Sequence, residues 1–135
     1  MVFPSCKKAD PVVDPPFPYS RLWATVDGKS FQASEVTGSA GSSSLTVTGV
    51  LNSGTSKASS ISLSIPNFSG TGNYAIPSDA GASYSEPGGP FDAESGTITL
   101  TTITTSRVEG KFSFVGKGAA GSTKTVTNGN FDFYK

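Results

Sequence analysis

The sequence predicts an all-β fold, an antiparallel β-sandwich or flattened β-barrel of about eight to nine short strands, and three observations carry that prediction. The first is the run from Ser95 to Lys135. Gly96-Thr-Ile-Thr-Leu-Thr-Thr-Ile103, Val108-Glu-Gly-Lys-Phe-Ser-Phe114 and Gly129-Asn-Phe-Asp-Phe-Tyr-Lys135 each alternate polar and apolar residues. A period of two belongs to a strand with one buried and one wet face. Ile98, Leu100, Phe112, Phe114, Phe131 and Phe133 are therefore expected to share one core, with Ile61 and Leu63 nearby. The second observation is composition: charged residues make up only 15% of the chain, and Thr, Ser and Gly fill the polar positions. Thr favours strands and Gly favours turns. The third is the absence of any helix-length periodic segment or fixed internal repeat.

Taken in order, Arg21 to Val26 reads as the first strand, and Asp27-Gly28 is a two-residue hairpin turn that returns it as Lys29 to Ala33. Glu35 to Ser44 reads as a Gly/Ser-rich loop. Leu45 to Leu51 is the third strand, with Gly49 a candidate bulge. Ile61 to Ile65 is the fourth, closed by Pro66, and Gly70 to Ile76 a short fifth, ended by Pro77. Pro77 to Glu94 is expected to be a long loop with at most one short strand near Ala82–Ser85, and long loops in compact domains are often functional. Thr104 to Arg107 turns a hairpin and Lys117 to Thr123 is a Gly-rich loop. Asn128-Gly129 is expected to be a bulge within the last strand, since Val126 and Phe131 are too close to belong to two full strands.

Length places residues 20–135 in a single domain large enough for a real core. The ten basic and ten acidic residues cancel, so no long-range field favours nucleic acid or an anionic membrane surface. Basic residues are scattered and the Phe residues alternate inward, which leaves nucleic acid no stacking platform. No run of eighteen apolar residues is present. The chain has no histidine and one cysteine, which excludes Cys–His nucleophiles, zinc-finger ligand sets and intrachain disulfides. No cofactor or metal is implied. Asp92 and Glu94 are the one carboxylate pair at strand spacing; a loop-carboxylate hydrolase would need them across a cleft with one pKa raised, and a solvated loop is the favoured reading.

Cys6 is more informative by position than by number. An apolar fragment, a small residue (Ser5), Cys6 and then charged, Pro-rich sequence has the order of a lipoprotein signal's tail, with the basic and apolar regions of the signal missing. The other reading is a free cysteine near the N-terminus. Asp10 to Tyr19 is rich in proline, which favours extended polyproline geometry, so residues 1–19 are read as a signal remnant and tether.

Trp23-Ala-Thr-Val-Asp-Gly-Lys-Ser-Phe31, Gly72-Asn-Tyr74, Gly96-Thr-Ile-Thr-Leu100, Val108-Glu-Gly-Lys-Phe-Ser-Phe114 and Thr127-Asn-Gly-Asn-Phe131, in that order behind a Cys and an extended tether, resemble the small lipoproteins of unknown function of Bacteroidota-type bacteria. The resemblance implies a lipid anchor on Cys6 and a location in the bacterial cell envelope, at the outer membrane. Lys7 and Lys8 stand where an acidic export signal would, so the side of the membrane stays open. It implies no activity and no catalytic residue.

The function expected on these grounds is non-enzymatic: a monomeric envelope lipoprotein that binds a glycan or a protein. The alternative is a structural domain that assembles through an exposed sheet edge. Ligand-binding candidates are Trp23, Tyr74, Asp79, Tyr84, Glu86 and Asp92. Trp23 is the only tryptophan and could serve as a sugar platform, although a Trp in an alternating strand is more often core or core-edge packing. Four of the others fall in Pro77–Glu94, the densest mix of aromatic and acid in the chain.

Overall fold

In the computed structural model, which describes residues 20–52 and 54–135, ten strands follow one another: β1 (Arg21–Val26), β2 (Lys29–Gln32), β3 (Glu35–Ala40), β4 (Leu45–Leu51), β5 (Ser59–Ile65), β6 (Gly72–Ile76), β7 (Gly81–Glu86), β8 (Gly89–Ile103), β9 (Arg107–Lys117) and β10 (Thr123–Tyr134). Every pairing is antiparallel. The strands form one sheet in the order β2-β1-β10-β9-β8-β7-β5-β4-β3, and β6 pairs with the second half of β8. The all-β prediction holds, as a single antiparallel sheet curled into a half-barrel. The only helical turn among the described residues is a single 3-10 turn, Ala119–Gly121, within the expected Gly-rich loop. Cys6 and the Pro-rich segment Asp10–Tyr19 lie outside the described residues.

The curl brings the two ends of the sheet together at one corner. Ala33 N–H donates to the Leu22 carbonyl of β1 at 3.0 Å, and the next residue, Ser34, donates from its N–H to the Val50 carbonyl of β4 at 2.8 Å. The strand that begins as β2 thus changes partner and continues as β3. Gly49 lies under this corner. A Cβ there would stand 2.9 Å from the Ala33 Cβ and 3.1 Å from Leu22 Cδ2, so it serves close approach. It is not the expected bulge, because β4 stays in continuous register with both neighbours.

Buried apolar residues of every strand but β3 meet on the concave side in one core, against which Val36 and Ala40 of β3 also pack. It includes all eight residues expected there: Ile61, Leu63, Ile98, Leu100, Phe112, Phe114, Phe131 and Phe133. Rings lie over glycines at its centre. Phe112 faces Gly129 and Phe131 faces Gly110 across the β9–β10 pair. A Cβ at Gly129 would come within 2.5 Å of the Phe112 ring, and one at Gly110 within 2.7 Å of the Phe131 ring. The expected bulge is present: β10 slips register between Thr127 and Asn130 against β1, with Asn128 at φ 52, a left-handed value that Asn tolerates better than most residues.

One expected loop is a strand instead, and the other holds both the short strand expected near Ala82–Ser85 and the start of a second. Glu35–Ala40 is β3, whose Gly38 approaches β4 so closely that a Cβ would sit 2.1 Å from the Thr46 carbonyl oxygen. Its residues are mostly exposed, which is why no alternation betrays it. Pro77–Glu94 contains β7, the two-residue turn Pro87-Gly88 and the start of β8. The Pro and Gly that look like loop residues are the turn of a hairpin, with Glu86 opposite Gly89 and Tyr84 opposite Phe91.

Truncating Phe114 to Ala should cost about 3–5 kcal/mol, and Gly129→Ala about 1–3 kcal/mol by overpacking against Phe112. Urea denaturation of each variant checks both; a Gly129→Ala midpoint equal to wild type would contradict the ring-on-glycine packing.

Candidate functional site

The curl gives the sheet an inner face that is filled and an outer face that is wet, and each candidate residue is assigned by strand parity. On β1, Leu22, Ala24 and Val26 point inward and are buried, so Trp23 points outward. It is 38% exposed, the one large apolar side chain left exposed among the described residues. Of the readings the sequence allows, packing inside the core does not hold: the strand is in the expected place, and the parity set by Leu22 and Ala24 turns the ring to the outer face. The Arg21 guanidinium stands 5.6 Å from its ring centroid, a cation–π contact that braces the indole. Gln32 of β2 lies directly opposite Trp23 on one side and Asn130 of β10 on the other. A 590 Å³ hollow opens there, lined among others by Trp23, Thr25, Ser30, Gln32, Asn128 and Asn130.

Beside it is a charged cluster. Arg107 donates from Nε to Asp132 Oδ1 at 2.7 Å and also meets Glu109, while Arg21 Nη2 stands 3.7 Å from Asp132 Oδ2. The hydrogen bond to Asp132 raises the Arg107 pKa above its ordinary value. Asp132 is the one buried charged residue among those described. Two arginines around one carboxylate keep it paired, and it fixes the outer surface next to Trp23.

The expected cluster in Pro77–Glu94 does not converge. Tyr74 is buried; its hydroxyl donates to the Gly70 carbonyl at 2.6 Å and accepts from Ser69 N–H at 3.0 Å, which occupies it with chain tying. Asp79 is exposed in the turn between β6 and β7. Asp92 is exposed on β8 opposite Ser83 and Lys117. Glu94 falls in a bulge, where β9 residues Val115 and Gly116 face Ser95 and Ala93, so the two acids do not flank a desolvated cleft.

Tyr84 and Glu86 do meet. They line a 490 Å³ pocket at one end of the half-barrel with Asp27, Lys29, Phe31 and Lys124. Lys124 Nζ stands 3.5 Å from Glu86 Oε1 and 3.7 Å from Asp27 Oδ2. Asp27 Oδ1 accepts from Thr125 N–H at 2.8 Å. Burial, then the hydrogen bond to Glu86 and that residue's charge, push the Tyr84 hydroxyl up from 10.0 to about 12. The Glu86 and Lys124 charges meet within the chain, so this end reads as a closure of the half-barrel; partly exposed pairs of this kind contribute about 0–1 kcal/mol each. The outer face around Trp23, with an exposed ring braced by Arg21 and flanked by the amides of Gln32 and Asn130, is the better candidate for a ligand. Gln32 and Asn130 were missed by sequence reasoning, and cross-strand register is the only signal that finds them.

The described residues thus form an all-β half-barrel with a polar outer face and one exposed large apolar side chain, Trp23. The chain belongs to the family described as Domain of unknown function (DUF6252), whose model matches residues 20–134. No match is found among curated proteins or among solved structures.

Because the folded state holds Tyr84 protonated, its contribution to stability is complete below the unfolded-state pKa of 10.0 and is lost as pH rises to about 12; in that window the unfolded chain has released a proton that the folded one retains. Tyr84→Phe should lose less stability than wild type across that window. Paired urea titrations check this, and parallel curves through the whole range would contradict it.

Proposed function

We propose that this protein is a non-enzymatic binding domain of a bacterial envelope lipoprotein, and that its ligand is a glycan held on the outer face around Trp23. The observation that carries the reading is the exposed indole with an amide directly opposite it on each side, Gln32 and Asn130. A pyranose offers an apolar C–H face to a ring and hydroxyls at its rim to donors and acceptors in the same surface, and an amphipathic aromatic beside amides matches both demands. A lone exposed apolar residue needs no explanation by itself. Its registration with two amides, beside a hollow, is what distinguishes this one.

The lipid anchor is part of the proposal. Cys6 lies outside the described residues, and its role is supported by the order of residues around it. Each buried methylene of an acyl chain contributes about 0.8 kcal/mol, so two or more chains would anchor the domain stably where one would not.

Assembly through a sheet edge is the second reading, favoured by β3. It pairs only with β4 among the described residues and carries neither Pro nor Lys to guard its free side, which is the kind of edge other strands can join.

Two experiments decide among these. A glycan array probed with wild type and Trp23→Ala should show hits that fall at least tenfold in the variant. Hits unaffected by Trp23→Ala would overturn the Trp23 site, and a blank array beside concentration-dependent self-association would move the assignment to the edge. Separately, the full-length gene expressed in its own type of host should partition with membranes, and Cys6→Ser should release it. A wild-type protein found wholly in the soluble fraction would refute the anchor.

A further inference from the structure

The registers of five strand pairs place six outer-face residues in one line. Gln32 of β2 faces Trp23 of β1, Trp23 faces Asn130 of β10, Asn130 faces Lys111 of β9, Lys111 faces Thr99 of β8, and Thr99 faces Asn73 of β6. Adjacent strands lie about 4.8 Å apart, so five steps make a row of about 24 Å running across the strands. None of the six is buried, and the far end is tied by a hydrogen bond from Thr99 Oγ1 to Asn73 Oδ1 at 2.7 Å.

The surface along the row is furrowed. The 590 Å³ hollow at Trp23, a 420 Å³ hollow bounded by Thr97, Thr99, Lys111, Ser113 and Asn128, and a 250 Å³ hollow between Trp23, Thr101 and Arg107 all include Asn130 in their walls. They therefore adjoin at the middle of the row. The bulge at Asn128–Gly129 lies beside that junction, and bulges bend a strand and increase its local twist.

We propose that this row is an extended subsite array for a linear glycan lying perpendicular to the strands. The proposal rests on the glycan reading of Trp23 and deepens it. Trp23 gives one ring-stacking position near one end. Asn130, and beyond Lys111 also Thr99 and Asn73, carry hydrogen-bonding groups along the row. Asn130 Nδ2 donates to the Asn128 carbonyl and Thr99 Oγ1 to Asn73 Oδ1, which leaves the Asn130 side-chain oxygen, the Thr99 hydroxyl oxygen and the Asn73 amide N–H groups for a ligand. Such a line suits a chain of sugars and wastes most of the row on a single sugar. Lys111 puts a cation in the line; Arg21 and Arg107 nearby are already engaged by Asp132 and Glu109. A carboxylate-bearing sugar at that position gains a charge-assisted contact that a neutral one does not.

The test is titration calorimetry of the intact chain against two series of linear oligosaccharides, one neutral and one of uronic acids, from disaccharide to hexasaccharide. Expected are an affinity that rises at least tenfold from disaccharide to tetrasaccharide, and a loss of at least threefold in Lys111→Gln confined to the uronate series. Asn73→Ala, at the far exposed end of the row, should weaken only the longer oligosaccharides, and its unchanged urea midpoint would exclude a folding defect. Affinity already complete at the disaccharide, with Trp23→Ala still abolishing it, would overturn the array and leave the single platform. No binding by either series at millimolar ligand would overturn both.

Discussion

The half-barrel depends on rings being allowed to lie flat on backbone. A sheet curled this tightly leaves a narrow interior, and Phe112, Phe114 and Phe131 meet there with centroids 6.4 Å apart in each neighbouring pair. They fit because the strand opposite each critical ring carries glycine: Gly129 under Phe112 and Gly110 under Phe131. Gly118 makes the same accommodation for the Phe91 ring, and Gly116 for its Cβ and backbone. Without that recess the rings would hold the two sides of the curl apart, and the corner at Ala33–Ser34 could not reach both β1 and β4.

The same packing fixes the outer face. Once Phe131 and Leu22 are committed inward, Asn130 and Trp23 have no choice but to point out, and side-chain alternation carries the constraint from strand to strand. The wet surface is therefore specified by the dry one. A one-residue slip of β1 against β10 would bury Trp23 and expose Leu22, an exchange the core resists with several kcal/mol of lost apolar burial.

Much of this architecture is legible in the sequence because alternation is legible. β1, β4, β5, β9 and the second half of β8 sit where polar and apolar residues take turns, and Asp27-Gly28 marks its hairpin without help from anything distant. β3 was illegible because an exposed edge strand buries almost nothing and so has no pattern to show. The β7–β8 hairpin was hidden by Pro87-Gly-Gly-Pro90, which reads as loop until Tyr84 is seen opposite Phe91. Of the candidate site, Trp23 was visible by its chemistry, but its direction was not; Tyr74 proved to be packed with its hydroxyl occupied, and Tyr84 to be a buried core residue. The row from Gln32 to Asn73 draws on residues scattered from one end of the domain to the other. Each is ordinary alone, and only the register makes them neighbours.

That register has a kinetic side. Val26 of β1 faces Val126 of β10, a hundred positions further along, so the first strand waits for the last before it has its main neighbour. Closing so long a loop is entropically costly, and contacts of this separation form late. Until they do, two complementary edges stay open in the same chain, and a second copy can offer β10 to the first copy's β1 as readily as its own. Exchange of that strand between chains during crowded refolding is the misassembly this topology invites.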